Sequence, residues 1–231
     1  MTVEMENQEK SPSVAILIPC KNEEGSIREV VLDCKRELPH ATIVVGDNLC
    51  TDKTRAIAER LGVTVIPCPT PGKGNALRTM IQAVPAEIYL TIDGDGTYSA
   101  WDGKRLVLDL IKNPNAAMAI GDRRRAYFSE NKSILHALGN RLVPWLVKTR
   151  CHAKETVDVM SGLRAIKSSF FTTFPIQSGG FSVETELTTT LLRHHIPYIT
   201  REISYRDRTE GKTKIHVIRD GGKIIAWILR H

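Results

Sequence analysis

The sequence is short of the features that mark several protein classes. Its five cysteines, at positions 20, 34, 50, 68 and 151, are odd in number and none forms a Cys-x-x-Cys pair. That argues against a disulfide framework and a thiolate zinc site, and leaves reduced, small core residues. No stretch approaches the ~18 consecutive apolar residues of a membrane span. The polar opening MTVEMENQEKSPS lacks the basic, then apolar, then small-residue order of a secretory signal, so a cytoplasmic protein is expected. Sixteen Gly and eleven Pro are too few for a fibrous or disordered chain. At 231 residues and 42% hydrophobic content, the chain has the volume for a true core.

The net charge of +6 is unevenly spread. Residues 1–121 carry 13 basic and 16 acidic side chains, 122–150 carry 7 and 2, 151–192 carry 3 and 4, and 193–231 carry 9 and 4. The positive excess lies in two segments of the second half, which predicts an electropositive surface facing a phosphate, an anionic lipid or a nucleic acid.

Short β-branched runs alternate with helical periodicity along the first half. Strands are expected at 14–18, 42–45, 63–66 and 87–92, with helices from Glu23, over 52–61 and over 74–83. Such alternation means βαβ units, hence an α/β fold with a Rossmann-like, mostly parallel sheet covered by helices on both faces. A helix at 102–112 and a strand at 116–120 follow. Next comes a long helix over 131–148 with an apolar stripe of Leu135, Leu138, Leu142 and Leu146 and a kink at Pro144. A strand at 163–166, a helix at 183–194, a strand at 198–203 and a helix from His216 complete the pattern. Residues 1–12 read as a polar tail and 13–231 as one domain in two halves, 13–121 and 122–231.

In open parallel sheets, ligands bind beyond the carboxyl ends of the strands, where segments 19–23, 47–52 and 93–95 all fall. The strongest signal is IDGDGTY. Residues i and i+2 of a strand share a face about 6–7 Å apart, so Asp93 and Asp95 can aim at one spot while Gly94 admits a close neighbour. Two carboxylates about 4 Å apart repel by roughly 4 kcal/mol at an effective dielectric near 20, and a divalent cation offsets this. Oxygen ligands suit Mg²⁺ or Mn²⁺ carrying a substrate diphosphate; the competing reading is a polar turn. In VVGDNLCTDKT, Asp47 is placed to accept hydrogen bonds from a nucleobase and Asp52 to cap the next helix. In PTPGKGNALR, Gly72, Lys73 and Gly74 precede a helix N-terminus, a geometry suited to anions, without the spacing of a P-loop.

These motifs, PCKNEEGSI, GDNLCTDKT, GKGNALR, DGD, GDRRR, DVMSGLRA, FSVETEL and YRDRTEGKTK, stand in an order that resembles the family 2 glycosyltransferases of GT-A fold. The resemblance spans residues 14–220 and is greatest to the branch of dolichol-phosphate mannosyltransferase and the bacterial polyprenyl-phosphate glycosyltransferases. It implies a nucleotide-sugar half, 13–121, and an acceptor half, 122–231. It places Pro19, Glu23 and Asp47 at the nucleoside, Lys73 on the donor side, and Asp93 and Asp95 on the metal. Arg123, Ser161 and Arg164 fall on the acceptor side, joined by Asn140, and Arg208 and Lys214 near the phosphates. The sequence departs from the family pattern at Lys21, at Leu49 with Cys50, and at Thr213; the first two departures bear on the base of the nucleotide.

The resemblance implies a metal-dependent, inverting transfer of a hexose from a nucleoside diphosphate sugar to a polyprenyl phosphate, with Asp95, Arg123, Arg208 and Lys214 in catalytic roles and no nucleic-acid partner. Glu184 and Glu186 fall in the family's region for a general base, but on one helix i and i+2 diverge, and a phosphate acceptor needs no base. His136 reads as an ordinary helix residue. The alternatives are a transferase for a soluble hydroxyl acceptor and a non-enzymatic sugar-nucleotide binder. Membrane contact would be peripheral or through an anchoring partner. In the last helix Val217, Ile218, Gly221, Ile224, Ile225, Ile228 and Leu229 form an apolar face, with Trp227 beside Arg219, Lys223 and Arg230, suited to a bilayer interface.

Overall fold

A computed structural model describes residues 11–127, 134–153, 155, 157–206, 208 and 217–230. Among them, one sheet contains β1 (Val14–Cys20), β2 (Thr42–Asp47), β3 (Thr64–Pro67), β4 (Ile88–Thr91), β5 (Met118–Asp122), β6 (Arg164–Lys167) and β7 (Tyr198–Glu202). Their spatial order is β3-β2-β1-β4-β6-β5-β7. All neighbouring pairs are parallel except those of β6, which runs antiparallel between β4 and β5.

The pleat sorts the strand side chains onto two faces. Ile16 and Ile18 of β1 point to one core with Val45 and Leu90, whereas Ala15 and Leu17 point to the other with Val44 and Tyr89. Helices α1 (Ile27–Glu37), α2 (Thr54–Arg60) and α4 (Ala100–Lys112) close the first core; α3 (Lys73–Ala83), α7 (Ser168–Thr173) and α8 (Val183–Arg193) close the second. On α1 the buried residues Ile27, Val30, Val31 and Cys34 keep the i, i+3, i+4, i+7 spacing of one helical face. Each fully buried aliphatic side chain of this kind contributes about 1.5–3 kcal/mol of hydrophobic stabilisation before entropic costs. Helix α4 opens at Ser99, whose hydroxyl accepts from Trp101 N, and lies so close to β4 that a Cβ on Gly103 would be 2.9 Å from Leu90 Cδ2.

Helix α1 starts at Ile27 rather than at Glu23, because residues 23–26 form a turn in which Ser26 N and Ile27 N both donate to Glu23 O. Two short helices, α5 (Arg124–Tyr127) and α7, were not expected, being too short to show a period.

The direction in which strands are added to the sheet reverses between the parallel neighbours β1 and β4: β2 and β3 build outward on one side, β6, β5 and β7 on the other. Pairing of β1 with β4 stops at Leu17–Thr91, while pairing with β2 continues to Cys20–Asp47. A crevice therefore opens between the ends of β1 and β4, the switch point where ligands bind in such sheets. Pro19 lies beyond the last β1–β4 pair, where a missing N–H costs no ladder bond on that side.

A third, smaller core joins α6 (Ile134–Arg150) to α9 (Val217–Arg230) through Val143, Val147, Cys151, Val159, Ile224 and Ile228. This corrects the expected stripe on α6. Leu142 is exposed and Leu146 only half-buried, because the buried face runs through the β-branched Val143 and Val147 one position further on. Leu135 and Leu138 lie in the first half of α6, where side chains are outside the described set, as is that of His136. Among the described residues, no helix is long and apolar enough to cross a membrane.

Candidate active site

The Asp93–Asp95 turn sits directly over the crevice. Ile92 N donates to Leu17 O, Ser26 Oγ donates to Gly94 O at 2.7 Å, and a Cβ on Gly94 would be 2.6 Å from Cys20 Sγ. Glycine there lets the turn lie flat on the end of β1.

Each carboxylate of the pair faces a cation, and each cation faces a second acid. Lys73 Nζ lies 2.5 Å from Asp93 Oδ1 and 2.5 Å from Glu184 Oε1. Arg208 Nη2 lies 2.9 Å from Asp95 Oδ2 and 3.2 Å from Glu23 Oε1. The other oxygen of Asp95 accepts from Thr97 N and Thr97 Oγ1, which fixes the carboxylate's orientation. Residue 162 presses from beyond: a Cβ on Gly162 would be 2.6 Å from Asp93 Oδ2 and 3.0 Å from Lys73 Nζ. The chain thus brings Glu23, Lys73, Asp93, Asp95, Glu184 and Arg208 into one site from five separate segments.

The two aspartates are driven apart in acidity. Burial, the largest influence, pushes Asp93 above the ordinary carboxylate value; Lys73 opposes this, and Asp95 and Glu184 reinforce it. Burial also acts to raise Asp95, but hydrogen bonds from Thr97 and Arg208 outweigh it and hold that carboxyl below its usual value. For Lys73, burial favours the neutral amine, yet the charges of Asp93 and Glu184 prevail and keep it firmly protonated. As hard oxygen donors at a strand end, Asp93 and Asp95 fit Mg²⁺ or Mn²⁺. Among the described residues no group of three His, Cys, Asp or Glu side chains is arranged for a metal.

The remaining residues expected at the site divide into those that face the crevice and those that build it. Asp47 ends β2; its Oδ1 accepts from Cys50 N, and Arg55 stands 3.9 Å from its other oxygen. Asp52 clamps two loops, accepting from Thr54 N and Oγ1 through one oxygen and from Glu24 N through the other. The expected anion site at the start of α3 is already filled by protein: Gly74 N and Asn75 N donate to Gly180 O and Gly179 O. A Cβ on Gly72 or Gly74 would come within 2.2 Å of these backbone segments, so the glycines serve a close crossing of two loops.

Arg123 donates to Asp158 and to Met160 O, and its Nη1 reaches Tyr98 Oη at 3.3 Å. Tyr98 Oη in turn accepts from Gly162 N at 2.9 Å. Arg164, expected on the acceptor side, is 1% exposed, and its guanidinium donates to Ser161 O, Val159 O and Thr188 Oγ1. Burial pulls its pKa down to about 10. In this arrangement Arg164 holds segment 159–161 in place and offers no donor to an acceptor. Ser161 is fully buried, and its hydroxyl has no hydrogen-bond partner among the described residues. Asn140 falls in α6 with its side chain outside the described residues, as do Lys214 and Thr213.

Glu184 and Glu186 diverge as i and i+2 on a helix must. Glu184 faces Lys73, whereas Glu186 accepts from Gln177 N at 2.6 Å and Ser178 N at 2.8 Å. Sequence reasoning missed Tyr98, Asp158 and Gly162, which together fix the loop beneath Asp93. All three sat inside the motifs IDGDGTY and DVMSGLRA, but only a burial pattern would have separated them from ordinary turn residues.

Residues 15–174 match the family model described as glycosyl transferase family 2. The chain is similar to glycosyltransferase AglJ of Haloferax volcanii, at 32% identity over 220 residues, covering 94% of this chain and 71% of that protein. It is also similar to a dolichyl-phosphate hexose transferase of the same organism, at 27% identity, covering 91% and 90% of the two chains. Among solved structures, a glucosyl-3-phosphoglycerate synthase from Mycobacterium tuberculosis with Mn²⁺ and UDP-glucose superposes with a TM-score of 0.75 at 19% identity, over 95% of this chain and 79% of that one. The expected fold is thus present, with the carboxylate turn at its switch point. The chain belongs to glycosyl transferase family 2 and is a glycosyltransferase with a nucleotide-sugar donor.

Proposed function

We propose that this glycosyltransferase moves a hexose to a polyprenyl phosphate with inversion at the anomeric carbon. One observation carries the choice of acceptor. Both acids that could serve as a base at the start of α8 are engaged, Glu184 with Lys73 and Glu186 with two backbone amides. A hydroxyl acceptor needs a base in the transition state, whereas a phosphate is already an oxyanion near neutral pH. The similarity to a protein named for dolichyl-phosphate hexose transfer supports the same reading.

In this reading the nucleoside diphosphate lies in the crevice with its base toward Pro19, Glu23 and Asp47. Asp93 and Asp95 would hold Mg²⁺ or Mn²⁺, which supplies positive charge to the leaving diphosphate. Lys73 and Arg208 add fixed cationic groups beside the same oxygens. The acceptor phosphate approaches from the side of Arg123 and Ser161, and its oxygen bonds to the anomeric carbon as the bond to the diphosphate breaks. Asn140 and Lys214 belong to the same proposed acceptor and phosphate set.

The test is a donor panel of GDP-mannose, UDP-glucose and UDP-N-acetylglucosamine, incubated with Mn²⁺ and a short polyprenyl phosphate and read by mass spectrometry. A hexosyl polyprenyl phosphate of inverted configuration is expected with one donor. Turnover confined to soluble hydroxyl acceptors would overturn the proposal.

A further inference from the structure

Two exposed apolar faces remain once the cores are assigned. One lies on α1 and α4, where Leu32, Trp101, Leu108 and Ile111 are exposed among charges of both signs; Lys104, for example, stands over the Trp101 ring and 3.8 Å from Glu37. The other lies on α6 and α9. Leu142 is 39% exposed, Trp145 58% and Leu229 56%. Leu142 and Trp145, three apart on α6, share the side turned away from Val143 and Val147. Arg150 Nη2 donates to Leu229 O at 3.0 Å, which brings the last turns of the two helices together.

Among the described side chains, the charge on this second face has one sign. Over 142–150 and 221–230 the charged side chains are Lys148, Arg150, Lys223 and Arg230, all exposed, and none is acidic. An apolar surface whose described charged neighbours are all cations suits a partner with an anionic skin over an apolar interior. It does not suit a second copy of the chain, because a two-fold interface would set the same cations against themselves.

We propose that the α6–α9 face docks on the surface of an anionic phospholipid bilayer, with the Trp145 indole at the interface and Leu142 and Leu229 beside it. This moves the anchor from Trp227, which is half-buried, to an indole that the sequence pattern placed inside a helix without singling it out. The contact is electrostatic as well as apolar, so it weakens within the salt range that screens surface charge.

The experiment is cosedimentation with vesicles of pure phosphatidylcholine and of phosphatidylcholine with about one-third phosphatidylglycerol. Wild type is expected to sediment with the anionic vesicles and to be released as salt approaches about 0.5 M. Each cation lost lowers partitioning by about fivefold, so Lys148→Glu with Lys223→Glu should lower it at least tenfold. Trp145→Ser with Leu229→Ser should abolish it, and Trp101→Ser with Leu108→Ser should leave it intact. Circular dichroism and melting temperature establish that each variant is folded. Absence of wild-type binding, or undiminished binding by either α6–α9 variant, would overturn the proposal. So would a dimer seen by light scattering that Trp145→Ser dissociates, which would assign the face to a second copy. No readout uses donor or acceptor, so failure here leaves the acceptor proposal standing.

Discussion

Replacing Lys73 with Met keeps most of the side-chain volume and removes the ammonium between two acids. The Lys73 side chain is 11% exposed, Glu184 9% and Asp93 28%. Removing one partner of a buried ion pair typically costs about 3–5 kcal/mol, because the remaining charge loses its counter-ion while staying poorly solvated. Water reaches Asp93 in part, which favours the lower end, about 3 kcal/mol. For a chain of this size each kcal/mol lowers Tm by about 2–4 °C, so Lys73→Met should melt about 6–12 °C below wild type near pH 8.

The deficit must also depend on pH, with a definite sign. Asp93 already lies above the ordinary carboxylate value, burial being the main cause, and loss of Lys73 raises it further. An acid whose folded-state pKa exceeds its unfolded value destabilises the fold above the folded pKa, and the penalty vanishes as pH falls below the unfolded value. The Tm gap between Lys73→Met and wild type should therefore narrow from about pH 8 to about pH 5. The assay is thermal or urea unfolding followed by circular dichroism across that range, without metal. A gap under about 2 °C near pH 8, or one that widens on acidification, would refute the role of Lys73 as counter-charge.

Three further outcomes follow from the same geometry. Asp95→Asn keeps the Thr97 contacts but removes a charge from the proposed metal pair, so turnover, measured as nucleotide release, should fall at least a hundredfold, and EDTA should do the same to wild type. Gly162→Ala places a Cβ against Asp93 Oδ2 and should weaken Mn²⁺ binding, measured by calorimetry with nucleoside diphosphate present, at least tenfold while the protein remains folded. Arg164→Lys cannot span the acceptors on Ser161, Val159 and Thr188, so urea unfolding should show a loss of about 2–3 kcal/mol despite the conserved charge.

Much of residues 13–121 was legible because the elements there are governed by local pattern. Continuous apolar runs such as 14–18 and 42–45 can only be buried strands between helices, and each ends in polar residues that the parallel topology carries to one edge. The IDGDGTY turn could be read as a ligand site for that reason. What the sequence could not reveal depended on long-range contact. That Lys73 reaches Asp93 twenty positions away, and Glu184 beyond that, follows from Gly72 and Gly74 crossing Gly179 and Gly180 at backbone distance. The buried face of α6 was misplaced by one position because leucines and valines alternate there, so periodicity alone admitted two stripes, and only packing against Ile224 and Ile228 selects one.

Charge shows the same limit of local reading, and it shows where the positive excess of the second half resides. GDRRR supplies three of the seven cations of residues 122–150 and invites a phosphate. Yet Arg123 pairs with Asp158, Arg124 with Asp122 and Arg125 with Glu202, so each meets an acid from its own neighbourhood or from a neighbouring segment. Formal charge counted along a segment is therefore not field delivered to a ligand, since a paired cation projects little beyond its partner. Cations that project stand clear of acids, and among the described side chains of α6 and α9 the exposed cations are Lys148, Arg150, Lys223 and Arg230, with no acidic residue beside them in those stretches. The two demands of a lipid-linked reaction would thus be met by different sets of cations: Lys73 and Arg208, each between two acids in the crevice, and an unaccompanied group on the outer face. If so, salt should weaken vesicle binding far more steeply than it weakens donor binding, because screening acts on exposed charge and hardly on buried pairs. Parallel salt titrations of the two equilibria test that separation, and equal slopes would show that one set of cations serves both.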